Sequence, residues 1–209
     1  RITPFWPGLL LLISTELVEA QYFNAPDPEL EATMADIRQR RRDRIPAIDT
    51  PSFVTATSAD SFMAPGDLVI GLQIGDEVRA YPVMFLQGRE VVNDSLRGGP
   101  ITVTWLPMVP ASIVYDSRLS TGVLADRARL THPDLRFGVT GILRQGALVM
   151  YDRSTVSLWR QDGWAIAGPL KGTRLKRLPS ERMSWHQWRE RHPLTLVMRA
   201  PPPAPYPRP

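Results

Sequence analysis

Four carboxylate residues of this sequence are candidates for acid–base chemistry. They form two candidate pairs, Glu90 with Asp94 and Asp116 with Asp152, and each residue lies beside a predicted turn. Two carboxylates acting together are the usual machinery of glycoside hydrolysis, where one is the acid and the other the base or nucleophile. Acids beside turns also accept hydrogen bonds from backbone amides, which is a structural role. A hydrolase or ligand-binding domain built on these four residues is therefore one alternative.

Cysteine and histidine usage excludes most other site chemistry. The chain has no cysteine, so disulfides, thiolate catalysis and zinc-finger sites are excluded. The three histidines, His132, His186 and His192, are scattered, and two of them directly precede proline. The sequence also lacks a nucleophile elbow, a phosphate-binding glycine loop and a His-Glu-x-x-His motif. We therefore predict no metal ion, no cofactor and no enzymatic activity.

The stretch around residues 101–115 should position whatever site the protein has. Residues 101–105 alternate between apolar side chains and threonines, which predicts a β-strand. Pro107 and Pro110 cannot donate to a sheet, so the chain should leave the sheet there and return at residues 113–115. A loop held between two strands is a usual place for a functional site.

Short strands separated by Gly, Asp and Ser turns recur along the chain. Gly75 and Asp76 should form the two-residue turn of a hairpin. Regular short strands with few helices predict a mainly β (α+β) fold, with a compact barrel-like or sandwich-like domain. The predicted strands outside the central stretch are residues 68–74, 77–81, 135–143, 147–151 and 158–159.

Two helices have clear start signals. Asp27 can cap a helix that begins at Pro28, and apolar side chains at positions 30, 34 and 37 form one stripe on it. Ser184 and Gln187 fit a capping box that opens a second short helix. Trp185 and Trp188 share a face of that helix, which favours packing in the core over stacking on nucleic-acid bases.

The N-terminal segment is predicted to be a membrane anchor. Residues 2–15 carry no charge, and aromatic residues such as Trp6 flank the apolar run. This pattern favours a membrane helix over an interfacial helix. Glu16 and Glu19 lie three residues apart on one helix face and need a partner if that face lies in lipid. The predicted segments are an anchor (1–23), a linker helix (24–44), a β-rich globular domain (45–195) and a Pro-rich tail (196–209).

Two short stretches carry a resemblance to a known family. Residues 88–94 read Gly-Arg-Glu-Val-Val-Asn-Asp, and residues 105–112 read Trp-Leu-Pro-Met-Val-Pro-Ala-Ser. They resemble the bacterial and archaeal family called domain of unknown function 3179. In that family these stretches read approximately Trp-His-Glu-Ile-Val-Asn-Asp and Tyr-Cys-Pro-Leu-Cys-Gly-Thr-Ala. Segments at 45–49, 67–71, 138–141, 150–153, 157–159 and 167–170 extend the resemblance over roughly residues 45 to 195.

The resemblance implies a site that this chain has lost. A Cys-x-x-Cys near a histidine implies a thiolate metal or redox site in the family, because that spacing and softness suit zinc or copper. The corresponding residues here are Arg89, Leu106 and Val109, none of which ligates a metal. We interpret these three positions as a degenerate family site.

The interpretation that uses most of these features is a non-catalytic, membrane-attached accessory subunit. It would stabilise a larger membrane protein complex, with respiratory or photosynthetic electron-transfer complexes as hosts by analogy. The predicted partners are other subunits and membrane lipid, contacted through Trp6, Glu16, Glu19, Pro107 and Pro110. Arg1 precedes the apolar segment and acids follow it, which favours a periplasmic domain. Nucleic acid is not an expected partner, because the arginine-rich end of the linker helix shares that helix with four acids.

Overall fold

The computed structural model describes residues 27–40, 43–120 and 133–203. The predicted membrane anchor and the last residues of the predicted tail lie outside these ranges. No helix in the described ranges is long and apolar enough to cross a membrane.

Within these ranges the chain forms four helices and thirteen strands. The helices are α1 (Pro28–Arg40), α2 (Ala56–Ala59), α3 (Val83–Leu86) and α4 (Trp185–Arg191). The strands are β1 (Phe53–Thr55), β2 (Leu68–Ile74), β3 (Glu77–Pro82), β4 (Val91–Leu96), β5 (Gly99–Leu106), β6 (Ala111–Asp116), β7 (Phe137–Arg144), β8 (Ala147–Asp152), β9 (Leu158–Arg160), β10 (Ala165–Ala167), β11 (Lys176–Leu178), β12 (Ser180–Ser184) and β13 (Leu196–Met198).

The strands form three open sheets that stack as layers. The first sheet has the order β1-β13-β3-β2-β12, the central sheet β11-β6-β5-β4, and the outer sheet β10-β9-β8-β7. Neighbouring strands are antiparallel, apart from the parallel pair β13 and β3. The mainly β prediction is therefore confirmed. The barrel alternative is wrong, because none of these sheets closes on itself.

The central sheet is buried between two hydrophobic cores, one on each of its faces. Val103 and Trp105 pack with Ile70 and Tyr81 of the first sheet. On the opposite face, Leu106 joins a core with residues of the outer sheet such as Phe137 and Trp159. Apolar burial on both faces supplies most of the driving force that holds the three layers together.

Helices cover the two outside faces of the stack. The buried stripe of α1, Leu30, Met34 and Ile37, packs against the outer sheet. Trp188 of α4 packs on the first sheet directly over Gly71, where an added Cβ would lie 2.2 Å from the indole ring. Only glycine allows this close approach of helix and strand.

Most local predictions are confirmed by the structure. The hairpin of β2 and β3 forms as predicted, and Ser184 and Gln187 make the predicted capping box. Asp27 Oδ1 accepts a hydrogen bond from the backbone N–H of Glu29 at 3.0 Å, which caps α1. The predicted tail boundary differs, since β13 pairs with both β1 and β3 inside the first sheet.

The threonines of β5 are buried, although strand alternation usually indicates a solvent-facing side. Thr102 Oγ1 lies 2.6 Å from Ser117 Oγ, and Thr104 Oγ1 donates to the Ile113 carbonyl at 2.9 Å. Gln161 Nε2 lies 3.3 Å from Thr104 Oγ1. These side chains form a buried polar seam between the central and outer sheets, where each hydroxyl needs a partner because water is excluded.

Candidate functional site

A cleft of about 890 Å³ opens between the end of α1, the segment 43–50, the end of β8 and the C-terminal prolines. Its lining combines apolar groups with three arginines and two aspartates. The lining residues are Ile37, Arg38, Asp43, Pro46, Ala47, Ile48, Asp49, Thr50, Arg89, Tyr151, Arg153, Val156, Pro201, Pro202 and Pro203.

Arg153 is the central charge of the cleft. Its Nη1 donates to Asp49 Oδ2 and its Nη2 to Asp43 Oδ2, both at 2.7 Å. The residue directly follows β8, and its backbone N–H donates to the Arg136 carbonyl at 3.0 Å. Both aspartates, 104 and 110 residues away in sequence, are thus held by one partly buried guanidinium.

Asp43 is held by three donors. Besides Arg153, the Tyr151 hydroxyl donates to Oδ1 at 2.6 Å and the Ala47 N–H donates to Oδ2 at 3.1 Å. Burial, and after it the hydrogen bond to Asp43, raises the pKa of Tyr151 well above its usual range. The phenol therefore stays protonated and acts as a donor. A Cβ at Gly138 would lie 2.1 Å from Asp43 Oδ1, so this contact requires glycine.

Asp49 connects the cleft to the buried polar seam. Its Oδ1 accepts from Asn93 Nδ2 at 2.8 Å. The same Asn93 amide donates to the Phe137 carbonyl and accepts from the Phe137 N–H, each at 2.8 Å. The Asn93 side chain of β4 thus pairs with Phe137 of β7 as the backbone of a neighbouring strand would. It joins the central sheet to the outer sheet. This pair of hydrogen bonds needs a side chain that carries a donor and an acceptor in the same plane.

Arg89 differs from Arg153 in its partners. Within the described ranges, its guanidinium donates to two backbone carbonyls, those of Pro46 and Pro202, and to no carboxylate. It lies in the turn between α3 and β4, on the cleft side.

The other two positions that the sequence predicts to be a degenerate family site, Leu106 and Val109, lie at the same end of the central sheet. The Trp105 N–H donates to the Glu90 carbonyl at 2.7 Å, which places the β5 end beside the Arg89 turn. Leu106 is buried in the core between the central and outer sheets. Val109 is 56% exposed in the loop of residues 107–110, which joins β5 to β6 and which we name the apex loop.

Pro107 and Pro110 bound the apex loop, as predicted for the point where the chain leaves the sheet. The Pro110 carbonyl accepts a hydrogen bond from Arg182 of β12, and the Arg182 guanidinium lies 5.9 Å from the Trp105 ring centre. Trp105 is buried, yet its indole Nε1 finds no acceptor in the described part of the chain. The other predicted contact residues, Trp6, Glu16 and Glu19, lie outside the described residues.

Asp94 and Asp116 lie on the same face of the central sheet. Both pair in register with Ile101, so one strand separates them. Asp94 Oδ2 accepts from Arg79 at 2.6 Å and from the Tyr81 hydroxyl at 2.8 Å. Asp116 Oδ1 accepts from the Arg118 N–H at 3.0 Å.

Asp152 and Glu90 lie apart from that pair. Asp152 is fully buried at the end of β8, and its oxygens accept from the Thr155 N–H and hydroxyl and from Trp159 Nε1. Glu90 is half-buried, and no donor reaches its carboxylate from the described residues. Burial raises the pKa of Glu90. The structure therefore places the four carboxylates in three separate surroundings.

Sequence reasoning missed the cleft residues Asp43, Asp49, Tyr151 and Arg153 as a set. One local signal was available, since Tyr151 and Arg153 are two residues apart at the end of one strand. Chemically, the cleft offers guanidinium donors and carboxylates that already have donors. Among the described residues, no three His, Asp or Glu side chains group closely enough to hold a metal ion.

Together, the fold and the cleft define a layered β domain in which segments distant in sequence converge on one polar network. The family described as "Protein of unknown function (DUF3179)" has a model that matches residues 42–207, and the chain belongs to this family. No curated protein and no solved structure matches the chain.

Proposed function

We propose that the protein is a non-catalytic, membrane-attached accessory subunit that stabilises a larger membrane protein complex, and that the apex loop contacts the partner. The observation that carries the proposal is the exposure of two apolar side chains, Met108 at 76% and Val109 at 56%, on a firmly held loop. Apolar side chains that stay in water on an ordered loop are typical of protein interfaces.

The base of the apex loop is rigid. Leu106 and Ala111 pair at the ends of β5 and β6, Leu106 fills the core, and Arg182 binds the Pro110 carbonyl. A rigid loop loses little conformational entropy when it binds, which favours its use as a contact.

Helix α3 extends the apolar surface at this end of the molecule. Met84 is 42% exposed, and the Phe85 ring lies 6.1 Å from the Phe62 ring. The Leu86 carbonyl accepts from the Glu90 N–H, and the Glu90 carbonyl accepts from Trp105, so α3 and β5 meet at the same edge. A partner that covers the apex loop could therefore also cover Met84 and the two phenylalanines.

The membrane part of the proposal rests on sequence. The uncharged run at residues 2–15 and the aromatic Trp6 support an anchor, and Glu16 and Glu19 support a neighbouring protein that satisfies them. We propose a periplasmic position for the β domain and an electron-transfer complex as host.

The test is the native mass of the protein after mild detergent extraction of the source membranes. We expect a particle far heavier than the 23.5 kDa chain. The double variant Met108→Ser/Val109→Ser should leave that particle, whereas Leu143→Ser, which changes an exposed apolar residue of the outer sheet, should stay in it. Migration of the unmodified chain alone, or its release by salt without detergent, contradicts the proposal.

A hydrolase or ligand-binding domain that uses Glu90, Asp94, Asp116 and Asp152 is the second candidate. Glu90 favours it, because its carboxyl is half-buried, has a raised pKa and has no donor among the described residues, which are properties that suit a general acid. Under this alternative, Glu90→Gln abolishes turnover or ligand binding while the thermal unfolding midpoint does not fall.

A further inference from the structure

The C-terminal prolines form one wall of the cleft. After β13, the Arg199 N–H donates to the Ser52 carbonyl at 2.8 Å, which directs the chain toward the cleft. Residues 201–203 then line it, and Arg89 Nη2 donates to the Pro202 carbonyl. An extended segment of the chain thus lies against the cleft.

The hydrogen-bonding groups of the cleft suit proline better than an ordinary peptide. Proline residues have no N–H and offer only carbonyl acceptors. The carboxylates of Asp43 and Asp49 already accept from Arg153 and from other groups of the protein, so they need no donor from a ligand. Arg89 is the lining side chain that donates to residues 201–203, and its partners are carbonyl oxygens.

Apolar side chains supply the remaining wall. Ile37 and Ile48 are almost fully buried and line the cleft with Val156 and the Tyr151 ring. Proline rings pack well on such surfaces, and a polyproline helix is already ordered before it binds, so its binding costs little entropy. Because the volume of about 890 Å³ lies beside residues 201–203, the cleft has room for further residues of the same kind.

We propose that the cleft is a binding groove for an extended proline-rich segment, and that its occupant is the C-terminal segment of the same chain, residues 201–209. This segment reads Pro-Pro-Pro-Ala-Pro-Tyr-Pro-Arg-Pro. The inference does not depend on the proposed function, since it concerns a different surface from the apex loop.

The test uses the full-length chain with a single dye. The sequence has no cysteine, so Pro203→Cys gives one labelling site on an exposed residue whose carbonyl is not the one bound by Arg89. Fluorescence anisotropy should show a slowly tumbling, docked label. Adding Arg89→Ala should lower the docked-to-free ratio by roughly tenfold, as expected for loss of a hydrogen bond from a charged donor. The matched control is Arg38→Ala, because Arg38 lines the same cleft and makes no hydrogen bond to residues 201–203; it should leave the ratio unchanged.

Competition gives a second readout that does not depend on the Arg89 variant folding. A synthetic peptide of residues 199–209 should release the label from the unmodified cleft, and the same peptide with alanine at 201–203 should not. A freely tumbling label, equal effects of Arg38→Ala and Arg89→Ala, or no release by the peptide overturns the proposal. Anisotropy that rises with protein concentration also overturns it, because the occupant is then the tail of a second copy.

Discussion

The cleft and the apex loop lie on two sides of the same short turn, residues 89–90. They differ in how far their polar groups are hydrogen-bonded. In the cleft, Asp43 and Asp49 each accept at least two hydrogen bonds. Near the apex loop, the Trp105 indole and the Glu90 carboxylate have no partner in the described ranges, and Met108 is exposed. Native proteins satisfy nearly all buried polar groups, so the unpaired groups distinguish this end of the molecule from the cleft. The proposed partner contact rests on the exposed apolar side chains of the apex loop.

The largest expected effect is at the link between the cleft and the sheets. Asn93→Leu leaves the Phe137 N–H and carbonyl unpaired in a dry interior, so we expect a loss of about 3 kcal/mol in the free energy of unfolding. Urea unfolding measures it. Thr102→Val, in the same buried seam, should cost about 1 kcal/mol. A cost for Asn93→Leu as small as that of Thr102→Val would show that the two hydrogen bonds between Asn93 and Phe137 do not join the central sheet to the outer sheet.

The next effect concerns the cleft charges. Arg153→Met leaves two carboxylates without their shared partner, and because the guanidinium is only partly buried we expect a loss of about 2 kcal/mol. The control is Arg136→Met, since Arg136 is half exposed and lies 3.6 Å from Asp49; its cost should stay below about 1 kcal/mol. Equal thermal midpoints for the two variants would contradict the central position of Arg153.

Glu90 should show a pH-dependent effect. Burial raises its pKa above 4.5, so the unfolded chain ionises first as pH rises, and the folded state loses stability through that window. Glu90→Gln should therefore be more stable than the unmodified chain at pH 7, by less than about 1 kcal/mol because the carboxyl is only half-buried. At pH 3.5 both states carry a neutral carboxyl and the gain should vanish. If Glu90→Gln is still the more stable chain at pH 3.5, its stabilisation comes from packing and not from loss of the charge.

The smallest effect on stability is expected at the apex loop. Met108→Ser/Val109→Ser changes exposed side chains, so the free energy of unfolding should move by no more than about 0.5 kcal/mol. Chemical denaturation of the purified double variant measures this. A larger loss would mean that the apolar tip packs within the protein, and its exposure would no longer support a partner.

Local sequence patterns predicted the elements well, because hairpins and caps depend on neighbouring residues. The Gly75-Asp76 turn, the Asp27 cap and the Ser184 capping box all depend on contacts within a few positions. The cleft could not be found that way, since Asp43 and Arg153 meet only after α1 and the outer sheet have packed.

The position of the threonines in β5 shows the same limit. Alternation of Thr102 and Thr104 with apolar residues gives the period of a strand, but it does not show whether the polar face meets water or a third layer. The boundary of the tail was missed for a related reason. Leu196–Met198 is too short to stand out as a strand until β1 and β3 pair with it on both sides.

Site-specific crosslinking in the source membranes tests the central comparison most directly. Because the chain has no cysteine, Met108→Cys and Thr50→Cys each place one photo-crosslinker, the first on the apex loop and the second in the cleft. We expect a product much heavier than 23.5 kDa from position 108 and only chain-sized product from position 50. The absence of a heavier product at 108, or the same heavier product at both positions, would contradict the assignment of the apex loop as the partner contact.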